Sequence, residues 1–164
     1  MNIIRFPDKL LKLQSVALVD KVTNVTEATI EEMFKLMYTS NGIGLSAIQV
    51  GYPFRVFIMD TAPLSSKVGK RVFVNPEILE ASTELLSTQE GCLSFPGIGA
   101  VIKRPERIKI KARDINFSEF ELDLDGIESV CFQHELDHLN GITIYDRAGP
   151  LKRDQIKKKL GRPA

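Results

Sequence analysis

The chain contains only two histidines, and both lie in "QHELDH", residues 133–138, four positions apart with a glutamate between them. On a helix His134 and His138 stand one above the other on a single face. Two imidazoles at that spacing can share a divalent metal ion, with Glu135 beside it as a general base. Background residue frequencies produce this pattern by chance in on the order of a few per thousand chains of such length. The plainer alternative is two unrelated histidines on a surface helix. Ile127, Val130, Cys131, Phe132, Leu136 and Leu139 argue against it, because they make the segment apolar on several sides. A buried helix does not carry two histidines and a glutamate without partners for them.

A catalytic metal centre ordinarily has a third protein ligand and an open fourth position. There is no third histidine, and Ile144 stands where a histidine-rich extension would supply one. No glutamate follows Glu135, which removes a downstream glutamate ligand as well. Asp146, Asp154 and the cysteines remain. Cys131 shares the helical stripe, but the metal would lie about 7.5 Å further along the axis, beyond the reach of so short a side chain. Cys131 reads instead as a small buried wall residue. Cys92, in "QEGCLSFPGIG", is favoured: glycines and a proline around it suit an irregular loop that approaches a helix closely.

The elements that must position these groups are legible in part. "TEATIEEMFKLMYTS", 26–40, spaces Ile30, Met33, Phe34, Met37 and Tyr38 as one helical face, and Asn41-Gly42 is a stop signal. Strands are expected at 55–60, 71–75, 106–114, where Ile108, Ile110 and Ala112 alternate with basic residues, and 120–126. A second helix is expected from about 126 to 140, with Asp125 and Glu128 as a capping box and Asn140-Gly141 as its end. "ITIY", 142–145, reads as a short strand, and the basic tail from Pro150 as a short solvated helix. Strands in the middle with helices near each end indicate an α+β domain spanning 1–164, with 150–164 as its tail.

Another segment stands out: "NGIGLSAIQVG", 41–51, whose glycines, small residues and glutamine suit backbone exposed to a ligand. "GIGLSAIQV", "EGCLS" and "QHELDH" occur in this order with wide spacing, and with "FPDKLL" and "NPE" they make the chain resemble the peptide deformylases, which remove the formyl group from nascent protein N-termini. The resemblance implies Cys92, His134 and His138 as metal ligands, Glu135 as general base, and Gln49 with the Leu93 N–H as oxyanion donors. It implies an extended peptide bound around Ile43 and Gly44, with Glu90 and Gly91 also contacting substrate. Ile127, Val130 and Cys131, on the histidine side of the helix, would wall a pocket for a methionine side chain. The implied fold is a single compact domain with antiparallel sheets packed around the metal-binding helix. The implied reaction is attack of metal-activated water on the formyl carbon, releasing formate.

One divalent ion per chain is expected: ferrous iron in the cell, with zinc, nickel or cobalt able to take its place in purified protein, since the ligand set suits all of them. Ser46 stands where the family usually has alanine, a small change that should be tolerated. No basic residue follows the cysteine loop until Lys103 and Arg104, so peptide recognition beyond methionine is open. Bacterial members can dock a longer C-terminal helix on the ribosome; the short basic tail here is set between such a contact and a plain solvated charge run.

Bulk composition agrees with this and adds little. A net charge of +1 over 164 residues indicates no strong preference for nucleic acid or membrane. Chains of such length bury about 70% of their unfolded surface, so the core needs no disulfides. The N-terminal stretch carries Arg5, Asp8, Lys9 and Lys12, hence no apolar signal core. A monomer in the cytoplasm is the expectation. A zinc peptidase and a non-catalytic peptide-binding protein are the rival readings; the first lacks its third ligand, and the second would be signalled by loss of Glu135, Gln49 or Cys92.

Overall fold

The computed structural model describes residues 1–21, 25–65 and 67–163; Ala164, the end of the expected tail, lies outside them. The first helix, α1 (Glu27–Thr39), begins where the Thr26 hydroxyl accepts from the Thr29 N–H at 3.2 Å, satisfying a donor that a helix start leaves open. Ile30, Met33, Phe34 and Met37 are buried along one face, the spacing of a helix lying on a core. The helix stops where Asn41 adopts φ of +58°. The chain then enters strand β1 (Gly44–Ser46), followed by a 3-10 turn at Ala47–Val50.

Strands β2 (Val56–Asp60) and β3 (Lys70–Ala81) follow, then a hairpin of β4 (Leu85–Cys92) and β5 (Phe95–Pro105), then β6 (Arg107–Arg113) and β7 (Glu119–Asp125). The larger sheet is antiparallel with order β1-β2-β3-β6-β7, and β4 with β5 forms a separate pair. In β6 Ile108, Ile110 and Ala112 are buried while the alternate basic residues are not, as the period-two pattern requires. Helix α2 (Gly126–Leu139) lies across this sheet. Phe132 meets Phe57 and Phe73 edge-on, with ring centroids 5.1 and 5.3 Å apart. Of its residues, only Gly126, Ile127 and Leu136 are less than fully buried. This is the α+β arrangement expected, with the histidine-bearing helix at its centre.

Four local expectations need correction. Asp125 is the N-cap residue of α2 but makes no side-chain cap; its carboxylate pairs with Lys67 at 2.7 Å, so an ion pair replaces the capping box. Residues 142–145 are not a strand. Thr143 starts a single helical turn, α3 (Ile144–Arg147), by donating its N–H and hydroxyl to Asp146 at 2.8 and 3.0 Å. Cys92 lies not in an open loop but at the closed end of the β4/β5 hairpin, opposite Phe95, and the irregularity is a register shift between Gly91 and Cys92. The basic tail forms α4 (Pro150–Leu160), and Ile156 is wholly buried, so one face is anchored rather than solvated. Ile156 joins Phe6, Leu11, Phe95 and Ile144 in a cluster that clamps the hairpin to both chain ends. No helix among the described residues is long and apolar enough to cross a membrane.

Candidate metal centre and cleft

Helix α2 carries His134 and His138, and the tip of the β4/β5 hairpin brings Cys92 to them. The thiol sulfur and the ring nitrogens lie within 4.8 Å of one another, and Cys92 Sγ is 3.3 Å from His138 Nε2. Ligands around a tetrahedral ion with bonds of ~2.0–2.3 Å stand roughly 3.3–3.8 Å apart. His134 Nδ1 is engaged with Glu90 Oε1 at 3.0 Å, which leaves Nε2 as its metal-facing nitrogen. His138 Nδ1 is buried without a partner among the described residues. Asp146 and Asp154 are elsewhere, paired with Lys12 and Lys157. A thiolate and two imidazoles fit a soft or borderline divalent ion, so the donor set suits a metal.

Charge at the site agrees. Burial holds the His138 imidazole well below its ordinary pKa, keeping a lone pair available. Burial also opposes charge on His134, but Cys92, Glu90 and Glu135 outweigh it and raise His134 well above the usual range. Burial pushes the Cys131 thiol far up, so Cys131 is an inert wall.

Glu90 lines the cleft beside Gly91, while its carboxylate turns inward: Arg104 donates to both oxygens, Nε to Oε2 at 2.6 Å and Nη2 to Oε1 at 2.9 Å. Arg104 also donates to Asp137 at 2.9 Å, and Asp137 accepts two further bonds from Arg147. Burial would raise the Glu90 pKa, but the bonds from His134 and Arg104 lower it overall. A charged network thus runs from the surface of α3 through α2 and β5 to His134. A carboxylate on the second nitrogen of a ligating histidine fixes its tautomer and its orientation.

Above the cysteine and histidines opens a cleft of about 670 Å³. Gln49, Leu93, His134 and Glu135 line it, as do Ile43 and Gly44 from one side and Gly91 from the other. Ile127, Val130 and Cys131 give it an apolar end. A Cβ at Gly44 would lie 2.7 Å from Glu135 Oε1 and 2.9 Å from Cys131 Sγ, so a larger residue there would displace the Glu135 carboxylate. Glu135 is buried, and burial raises its pKa despite the hydroxyl of Ser46, which donates to Oε2 at 2.6 Å. Gln49 is fixed at both ends, accepting from the Ser46 N–H at 2.9 Å and donating to Ser94 Oγ at 3.0 Å. Its NH2 is also 3.6 Å from Cys92 Sγ.

Sequence reasoning missed several participants. Arg104 was noted only as a basic residue beyond the cysteine loop. Ser94 and the N-terminal segment were not noted as part of the site. Residues 3–6 run beside the cleft, with Ile4 N–H donating to the Gln49 carbonyl and Phe6 N–H to that of Ser94. Ile3 and Arg5 face the opening while Phe6 is buried, an alternation that the short segment hides in sequence.

A sequence model of the polypeptide deformylase family matches residues 1–154. The peptide deformylase of Chromobacterium violaceum is 43% identical over 161 residues, covering 98% of this chain and 93% of its own. That of Afipia carboxidovorans is 41% identical over 163 residues, covering 99% and 95%. Among solved structures, a peptide deformylase from Legionella pneumophila superposes with a TM-score of 0.89 at 34% identity, covering 97% of this chain and 92% of that one. Peptide deformylase 1B of Arabidopsis thaliana gives 0.86 at 36% identity, covering 99% and 96%.

Proposed function

Because the chain belongs to the polypeptide deformylase family, a family of metal-dependent hydrolases, we propose that it hydrolyses the N-formyl group of methionyl peptides with Glu135 as general base. The observation that carries this reading is the placement of the buried Glu135 beside the Cys92–His134–His138 cluster, at the wall of a cleft with one apolar end. Cys92, His134 and His138 would hold the ion, which supplies Lewis acidity and lowers the pKa of water it binds towards ~7. Glu135, its pKa raised by burial, takes a proton from the attacking water and returns it to the departing amine. As negative charge grows on the formyl oxygen, the Gln49 amide and the Leu93 N–H donate to it, each donor being worth ~3 kcal/mol of barrier.

Ile43, Gly44 and Gly91 offer backbone to an extended peptide across the cleft, and Ile127, Val130 and Cys131 receive the methionine side chain. Burial of that side chain contributes about 2 kcal/mol, enough to rank methionine above small residues. The reading takes residues 1–164 as one working unit, a cytoplasmic monomer acting on formylated nascent chains, with ferrous iron as the cellular metal. It gives the exposed basic face of α4 a transient ribosomal contact. Metal-loaded protein given a formyl-methionyl tripeptide is expected to release formate and free α-amine in equal amounts, and to leave the acetylated tripeptide intact. Absence of formate from folded, fully metallated protein would contradict the proposal.

A further inference from the structure

Ser46 has no place in the chemistry above, yet it touches two residues that do, Glu135 and Gln49. Its side chain is wholly buried. Its hydroxyl donates to Glu135 Oε2 at 2.6 Å, with the Glu135 carbonyl further away at 3.0 Å. A hydroxyl has a single proton to give, and the shorter, charge-assisted contact takes it. Glu135 Oε1 makes no hydrogen bond among the described residues; it is the oxygen that lies against Gly44, at the cleft wall. Ser46 thus ties one carboxylate oxygen and leaves the other facing the reaction. Its backbone N–H meanwhile donates to Gln49 Oε1 at 2.9 Å, which turns the Gln49 NH2 towards Cys92 and Ser94.

Ser46 is itself held. It ends β1, paired opposite Phe57 in the sheet, so neither of its donors can drift without distorting that strand. We infer that Ser46 is a positioning residue that registers the base Glu135 against the oxyanion donor Gln49. The inference rests on the deformylase reading above. The hydroxyl holds Glu135 and faces the Gln49 N–H in a capping box, while the backbone N–H holds the Gln49 side chain; Ser46→Ala therefore removes the hold on Glu135 and keeps the bond to Gln49 Oε1.

The test is steady-state deformylation of a formyl-methionyl tripeptide by metallated wild type, Ser46→Ala and Ser46→Thr. Ser46→Ala is expected to lower kcat about tenfold with KM and metal content unchanged, because geometry is lost at the reacting group and not in ground-state binding. Ser46→Thr keeps the hydroxyl and is expected to recover most of that loss. Because a threonine methyl can disturb so buried a site, Ser46→Ala is also made in the Glu135→Asp background, where the shorter carboxylate no longer reaches the hydroxyl. There the further loss is expected to be under about twofold, the signature of coupling between contacting residues. A kcat for Ser46→Ala within about twofold of wild type, a parallel loss of metal or folded protein, or a full repeat of the loss in the Glu135→Asp background would each overturn the inference. Wild type that releases no formate would overturn the functional reading and this inference with it.

Discussion

At the scale of single residues, Glu90 and Gln49 make separable predictions. The Glu90 carboxylate lies 3.0 Å from His134 Nδ1, so Glu90→Gln is expected to weaken metal binding about 10- to 100-fold. A chelator competition titration measures it, and an unchanged affinity would remove Glu90 from the metal's support. Gln49→Ala removes one donor to the developing oxyanion and is expected to cost roughly 10²–10³ in kcat, with metal affinity intact. The Glu90 carboxylate also has a pH signature. Its pKa is below its ordinary value through His134 and Arg104, so its stabilisation is present above the unfolded value of about 4.3 and lost as pH falls through the lower folded value. The stability gap between wild type and Glu90→Gln, read from urea unfolding, should be full at pH 6 and shrink as the pH falls below about 4.

At the scale of elements, the Arg104–Glu90–Asp137 network joins β5, β4 and α2 with side chains at most 10% exposed. Removing the cation leaves the buried Glu90 with His134 alone and the buried Asp137 with Arg147 alone, so Arg104→Met is expected to destabilise the protein by about 3–5 kcal/mol. A loss under 1 kcal/mol in chemical denaturation would show the network to be dispensable. Elements were legible in sequence where a single period governs them: α1 by its apolar stripe, β6 by its alternation, α2 by its histidine pair and its Asn-Gly stop. The β4/β5 hairpin was not legible. Its strands lack a clean alternation, with Pro96 and Gly97 opening β5 and a register shift at Gly91/Cys92, and its pairing is set by tertiary context, not by local propensity. Residues 142–145 look like a strand because isoleucine, threonine and tyrosine favour one, but two bonds from Thr143 to Asp146 fix a helical turn instead. For the same reason elimination points to Cys92 as a candidate ligand while the inward turn of the Glu90 carboxylate goes unseen. Nothing local to "QEGC" reveals that Arg104 and His134 fold onto that carboxylate.

At the scale of the molecule, α2 is the common wall of core and cleft. Phe132 faces the aromatic cluster with Phe57 and Phe73, while the neighbouring Glu135 faces the cleft. The 3-10 turn after β1 and the β4/β5 hairpin, from distant parts of the sequence, deliver Gln49 and Cys92 to that helix, so the site exists only in the folded chain. The same arrangement makes a metal that binds the folded form alone a stabiliser, by RT ln(1 + [M]/Kd).

The central claim is that this fold holds Glu135 as the proton-transfer group beside a metal centre. The most direct measurement is kcat for formate release by wild type and Glu135→Ala, both loaded anaerobically with ferrous iron or with nickel and both shown to hold one ion per chain. The account predicts a loss of at least about 10²-fold with metal content and fold unchanged. Activity within a few-fold of wild type in a fully metallated Glu135→Ala protein would contradict it.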